Sequence, residues 1–461
     1  MYLSSTHIRK LIQDKNPEGI TDEERRKIDQ QHRFVFFVIG MSVYPNQDIS
    51  LLTQKVFRCE NFINDCLLYH NILLTILSLI FSIFLKSLEF SNLVYSIWGA
   101  LLCHISHILI SIFGNGIQAR NLFIVVFAVM GALRAVLVFS CPTVISKLFF
   151  ITTFVLLNNS RSASSLILGF FQGVLNNIIG FKTVYQARLN LILCISFQAL
   201  ITLFGSVWIT LLYFQHGDKV RSESSIPDKN VKDTITEKIN NFRYIKYYFS
   251  RFALYHLGSV KYFFHPGFIP FLLECPIPTK LKGSVVYTLF EFLGRNSALA
   301  LDETIYAKPG SYTDPILLAL RDIPMFVLIF SVIILNSTIL YSTFSGRQIF
   351  VTSGGYLYIC MSISGLVYGY IITRGTTGAK AIIDYYRKKK GNTDQLPEDA
   401  SKNVSEVLTM SYYCTLIIPY IFSKSVQYLL KRSRLSRQYI LTTKFGNLSP
   451  EDVKNLYLQF K

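Results

Sequence analysis

The chain has 461 residues, 51% hydrophobic and only 16% charged, with 37 Phe and 27 Tyr. That composition excludes a water-soluble globular protein and points to a membrane protein. The formal net charge of +18 does not call for nucleic acid, because Lys and Arg gather in a few hydrophilic stretches, as in loops biased to the cytoplasm.

A hydrocarbon core about 30 Å thick needs roughly 20 apolar residues per helix. Stretches of that kind recur from Arg33 to Leu430, and the alternation of a membrane barrel is absent, so the spans must be helices. The sequence predicts eleven: near 33–55, 66–88, 93–113, 119–141, 160–181, 189–214, 253–274, 283–301, 317–341, 349–373 and 405–430. Residues 1–32 lack a short apolar core with a small-residue cleavage site and read as a cytoplasmic segment, not a cleaved leader. The stretch Asn121 to Asn159, with Pro142 near its middle, admits one long helix with a re-entrant connection or two helices.

Basic residues set the orientation. Arg9, Lys10, Arg25, Arg26 and Lys27 place the N-terminus inside, and the polar linker 215–251 and Lys388 to Lys390 return to the same side after six and then four further spans. The tail 431–461 departs from this rule, since an eleventh span puts Lys431, Arg432, Arg434 and Arg437 outside. The expected organisation is therefore a bundle of six helices over 33–214, the loop 215–251, and a bundle of five over 252–430. The side of the tail would follow from glycosylation at Asn447, whereas the N-x-S/T matches at Asn158 and Asn336 lie in or beside apolar segments.

Metal and disulfide chemistry have little support. The eight Cys form no C-x-x-C pair, although Cys59 and Cys66 flank the first inter-helix loop and could bond if it is extracellular. His104 and His107 are three apart but lack a carboxylate or Cys beside them, and read as packed polar groups. No spacing of His104, His107, His256 or His265 with an acid yields an enzyme mechanism, and no P-loop signature is present.

Charges inside the spans are more informative. In VVYTLFEFLGRNSALALDE, Val285 to Glu303, the residues Glu291 and Arg295 stand four apart and share one helix face, within reach of a charge-assisted hydrogen bond. A lone ion at the bilayer centre costs roughly 2.5–3.5 kcal/mol on insertion scales, so the pair should face the protein interior, as a structural pin or as a ligand site. Gly294 would admit a close neighbour. Arg134, in LFIVVFAVMGALRAVLVF, has no acid in its own segment, and Glu274 or Glu291 are its candidate partners. Pro45, Pro266 and Pro270, and the pair Gly354 and Gly355, weaken otherwise spanning helices. Asn46, Gln47 and Asp48 beside Pro45 could contact a polar solute.

The motif FEFLGR, Phe290 to Arg295, resembles the F-D-x-x-G-R signature in the eighth helix of equilibrative nucleoside transporters, with Glu291 in place of Asp. PGFIPFLLE, with Pro270 and Glu274, is similar to the seventh helix of that family. LRDIPMFVLIFSVIILN resembles the ninth through Arg321, Pro324 and Asn336, and TSGGYLYICM the tenth through Ser353, Gly355, Tyr356 and Met361. In the first helix YPNQ keeps Pro45 of L-P-W-N but not the Trp. The Gln of the fourth-helix Q-G pair finds its counterpart in Gln172, which falls in the fifth span.

The resemblance implies an all-α polytopic protein of about eleven transmembrane helices in two bundles, six and five, with a major-facilitator-like architecture. It implies alternating-access movement of nucleosides or nucleobases by facilitated diffusion, as in purine salvage, with no catalytic residue, cofactor or metal. Glu291 and Arg295 would bind ribose hydroxyls, and Thr288, Asn46, Gln47, Gln172 and Tyr356 complete the expected substrate-binding set. The expected partners are a nucleoside or nucleobase and the lipid bilayer, not nucleic acid, and the expected location is the plasma membrane. Two alternatives stay open: a transporter of the same fold for another small polar solute, with proton coupling through Glu291 or Glu274, and a multipass membrane enzyme.

Overall fold

A computed structural model of the chain describes residues 21–43, 50–57, 62–84, 89–149, 151–180, 182–220, 249–268, 277–305, 315–345, 354–390, 411–426 and 428–429. Every element among the described residues is helical. In chain order these are α1 Asp22–His32, α2 Phe34–Val43, α3 Ser50–Phe57, α4 Phe62–Phe84, α5 Phe90–Phe113, α6 Gly116–Leu148, α7 Ile151–Ile179 and α8 Val184–Val220. After the linker come α9 Phe249–Leu257, α10 Ile277–Ile305, α11 Pro315–Ser345, α12 Gly354–Lys390 and α13 over 411–426. Among the described residues six stretches are long and apolar enough to cross a membrane: Phe90–Phe113, Gly116–Cys141, Ser162–Ile179, Val184–Asp218, Asp322–Tyr341 and Gly355–Gly375. The chain is an all-α polytopic membrane protein, and lipid-facing residues such as Leu102, Val125, Phe204 and Ile334 are exposed on its helices.

The ambiguous stretch around Pro142 holds parts of two helices. α6 runs through Pro142 to Leu148, Phe149 leaves the helical conformation, and α7 begins at Ile151. Both helices extend beyond the apolar spans read from sequence, because polar residues outside the hydrocarbon still complete helical hydrogen bonds. Pro45, Asn46, Gln47 and Asp48 lie outside the described residues, as do Cys59, Glu274, Asn403 and Asn447.

α1 is strongly polar and straps the ends of three helices. Thr21 caps it by accepting from the Glu24 amide at 3.2 Å. Arg25 donates from Nε and Nη2 to the Phe149 carbonyl at 3.0 and 2.5 Å, a cation set at the C-terminus of α6. Asp29, buried, accepts from Thr153 Oγ1 at 2.8 Å near the start of α7, where a carboxylate complements the N-terminal end. His32 Nδ1 accepts from Trp208 Nε1 of α8 at 3.1 Å. An indole N–H can only donate, so the bond requires neutral imidazole, and partial burial holds His32 below the ordinary imidazole range.

Close helix crossings follow from small residues. Gly131 of α6 lets the helix approach His70 of α4: a Cβ there would lie 2.1 Å from the His70 carbonyl oxygen. His70 then reaches Phe127 O with Nδ1 at 3.1 Å, and Arg134 Nη1 lies 3.4 Å from His70 Nε2. Since the carbonyl only accepts, Nδ1 carries the proton and Nε2 takes the guanidinium N–H. Arg134 is thus bonded to a neutral imidazole on α4, and Glu274, one of the acids the sequence offered it, lies outside the described residues. His104 and His107 are likewise buried against backbone, His104 Nε2 at 3.0 Å from Ser42 O and His107 Nε2 at 3.4 Å from Phe123 O.

Two seams join the earlier helices to the later ones. At the first, α4 packs on α13: Asp65 pairs with Lys424, Thr75 Oγ1 donates to Tyr413 O at 3.1 Å, and Leu67, Leu74, Tyr413, Leu416 and Tyr420 share one apolar cluster. At the second, α7 packs on α10, with Asn159 Nδ2 donating to Asn296 Oδ1 at 3.4 Å.

Candidate functional site

The site is built on α10, which crosses α12 at very short range. A Cβ on Gly294 would meet Leu366 O at 2.2 Å, and one on Gly369 would meet Glu291 O at 2.2 Å. Only a glycine allows the two backbones this approach. The crossing places Glu291 and Arg295 inside the protein rather than toward lipid, with 6% and 4% of their surface exposed.

Glu291 and Arg295 form the i, i+4 pair expected of them, Arg295 Nη2 donating to Glu291 Oε1 at 2.7 Å and Nε at 3.3 Å. The same oxygen accepts a third bond, from Lys261 Nζ at 2.8 Å. Lys261 is 2% exposed and its ammonium also lies over the Tyr262 ring, 4.8 Å from the centroid. Burying an ion pair gains little net stability, because desolvation offsets the attraction, so two cations on one carboxylate oxygen read as a specialised polar floor.

The segment that carries Lys261 is broken. α9 gives way to a 3-10 turn at Gly258–Val260, and the turn Phe263–Phe268 is interrupted at His265, whose backbone is extended (φ −131°, ψ 119°). The His265 ring stacks on Tyr287, centroids 4.3 Å apart and planes 12° from parallel, and its Nε2 lies 2.8 Å from Ser284 Oγ. The expected discontinuity of the seventh span is therefore present, at His265 beside Pro266.

Polar atoms without a hydrogen bond among the described residues gather around this floor. They are His265 Nδ1 and the Tyr287 and Tyr368 hydroxyls, all on buried side chains. Tyr287 lies within electrostatic range of Glu291, Arg295, Tyr262 and Tyr368. A buried polar group left unpaired costs about 1–3 kcal/mol, so such a set is suited to a polar occupant.

The remaining expected site residues divide. Thr288 lies three residues before Glu291 on α10, buried, with its hydroxyl turned back on the Ser284 and Val285 carbonyls at 3.2 and 3.0 Å. Gln172 is buried on α7, with no described hydrogen bond to the Glu291 group. Tyr356 is not brought to the floor. Its hydroxyl meets Thr338 Oγ1 at 2.5 Å, and it stands 13 residues along α12 from Gly369, about 20 Å at the helical rise. Asn46 and Gln47 lie outside the described residues. Asn336 bonds Val332 O and Ser364 Oγ, each at 2.8 Å, and ties α11 to α12.

A second charged group escaped the sequence reading. Asp322 of α11, fully buried, faces Arg374 Nη2 at 3.3 Å and Arg251 Nε at 3.8 Å, and accepts from Ser250 Oγ at 2.7 Å. A small pocket ringed by Arg251, Leu254, Met325, Ile371, Arg374 and Gly375 adjoins it. The signal available in sequence was one acid at the start of an otherwise apolar run. Lys261 had a similar signal, a lone cation in LGSVKYFFHP inside an expected span.

No protein-family model and no curated protein matches the sequence. Among solved structures the chain is similar to a major facilitator superfamily transporter, FucP, in the outward conformation. That likeness has 12% identity and a TM-score of 0.42, over 85% of this chain and 97% of that one. It is also similar to a variant of the E. coli fucose:proton symporter FucP, at 13% identity, a TM-score of 0.42 and the same coverage.

Proposed function

We propose that the protein is a secondary transporter that moves nucleosides or nucleobases across a membrane by alternating access. The observation that carries this reading is the buried Lys261, Glu291 and Arg295 group, set inside the protein on one broken and one intact helix. A ribose offers vicinal hydroxyls that donate to a carboxylate and accept from a guanidinium. The stacked His265 and Tyr287 rings and the unpaired Tyr368 and Tyr287 hydroxyls suit a flat base with hydrogen-bonding edges. Supporting the reading further are the FEFLGR motif and the two seams, which couple the earlier helices to the later ones at Asp65 with Lys424 and Asn159 with Asn296.

The second reading keeps alternating access and changes the cargo to another small polar solute. Glu291 where the eighth-helix motif has Asp, and Gly354 where the family's tenth-helix S-N-G-Y pattern has Asn, favour it. Uptake of labelled adenosine, inosine, uridine and hypoxanthine by protein in liposomes separates the two. Saturable uptake of any of them supports the first, and folded protein that moves none sinks it. An inward pH gradient that stimulates uptake would add proton coupling.

A further inference from the structure

We infer that Lys261 is a specificity-determining residue of the Glu291 site, one that holds the Glu291 oxygen until a pair of solute hydroxyls replaces it. This rests on the nucleoside reading and goes further into it. Lys261 Nζ lies 2.8 Å from Glu291 Oε1, about as close as Arg295 Nη2 at 2.7 Å. Arg295 comes from the same helix as Glu291, one turn on, and moves with it. Lys261 comes from another element, the short run between the 3-10 turn ending at Val260 and the break at His265. Its bond to Glu291 is therefore the one that can be exchanged when that element bends.

The competition has a chemical consequence. A solute that reaches Glu291 must supply donors that offset the loss of a charge-assisted bond from an ammonium. Two adjacent hydroxyls can both donate to one carboxylate; a single hydroxyl cannot. A ribonucleoside then displaces Lys261, whereas the 2′-deoxy analogue meets the same competitor with one donor fewer. The displaced ammonium has a resting place beside it, over the Tyr262 ring. Lys261 thus makes the empty site selective by occupying it, a form of discrimination that needs no extra contact with the solute.

The test is competition of adenosine and 2′-deoxyadenosine for uptake into liposomes carrying the full chain, wild type against Lys261→Met. Met keeps the length of the side chain and removes the competitor. Wild type should prefer the ribonucleoside by about tenfold and the variant by about twofold, since one charged hydrogen bond separates them. The gain should come from tighter binding of the deoxynucleoside. Lys261→Gln, which can still donate but without charge, should fall between and serves if the Met variant does not fold. An unchanged ratio in a folded variant, or loss of both substrates, overturns the inference while leaving the nucleoside reading in place. So does failure of both variants to yield monodisperse protein, which would make Lys261 a structural counter-ion. Wild-type protein that moves neither solute overturns the nucleoside reading and this inference with it.

Discussion

Lys261 and Glu291, 30 residues apart in sequence, meet at 2.8 Å inside the protein and join the broken segment after α9 to α10. Because Arg295 shares the same Glu291 oxygen, the carboxylate anchors two cations from two elements. Glu291→Gln removes the anchor and leaves buried charge behind, so it should lower stability by about 3–5 kcal/mol. Thermal unfolding in detergent measures this, and an unchanged midpoint would contradict the buried geometry.

Arg295→Lys keeps the charge and loses the planar fork that reaches Glu291 with both Nε and Nη2. Solute uptake should fall by about tenfold or more, with the protein still folded. Near-normal uptake would leave Arg295 a structural pin only.

Gly369 and Gly294 set the α10 and α12 crossing, each with a carbonyl oxygen 2.2 Å from where a Cβ would stand. Gly369→Ala should therefore force the helices apart and cost about 1–3 kcal/mol, since the Glu291 carbonyl it would meet is backbone and cannot rotate away. Gly355, with open space around it, should accept Ala without such a loss. Comparison of the two unfolding midpoints checks the crossing.

Asp65 and Lys424 pair across the α4 and α13 seam. Alternating access requires that seam to move. Replacing both by Cys, Asp65→Cys with Lys424→Cys in a Cys66→Ser background, should give a disulfide that arrests uptake and is relieved by reductant. Full uptake in the oxidised state would show that the seam does not open.

His32 predicts a pH response at the α1 strap. Its imidazole sits below the ordinary range in the folded chain, so protons bind more readily once it is released. Stability of the strap is present above about pH 6.5 and declines as pH falls through that value. His216 of α8 faces it, the ring centroids 6.4 Å apart. Hydrogen exchange of α1 amides should accelerate between pH 7 and 5.5 in wild type and change less in His32→Gln.

Much of this was legible in the chain. Apolar runs marked the spans, and the i, i+4 spacing placed Glu291 on Arg295, because local helical geometry decides both. What escaped depends on long-range contact. Lys261 reached Glu291 from another element, and no periodicity encodes that meeting. Arg134 meets the His70 ring, whose tautomer the Phe127 carbonyl fixes, a contact that no pairing of charges suggests. Tyr356 carries the motif but sits a dozen residues along α12 from the crossing that holds Glu291, bonded to Thr338.

The most direct measurement of the central claim is uptake of labelled adenosine by purified protein in liposomes, wild type beside Arg295→Lys and Glu291→Gln. The account predicts saturable uptake by wild type, competed by inosine, and a fall of about tenfold or more in folded Arg295→Lys. Uptake no greater than that of empty vesicles, from wild-type protein shown to be folded, would contradict it.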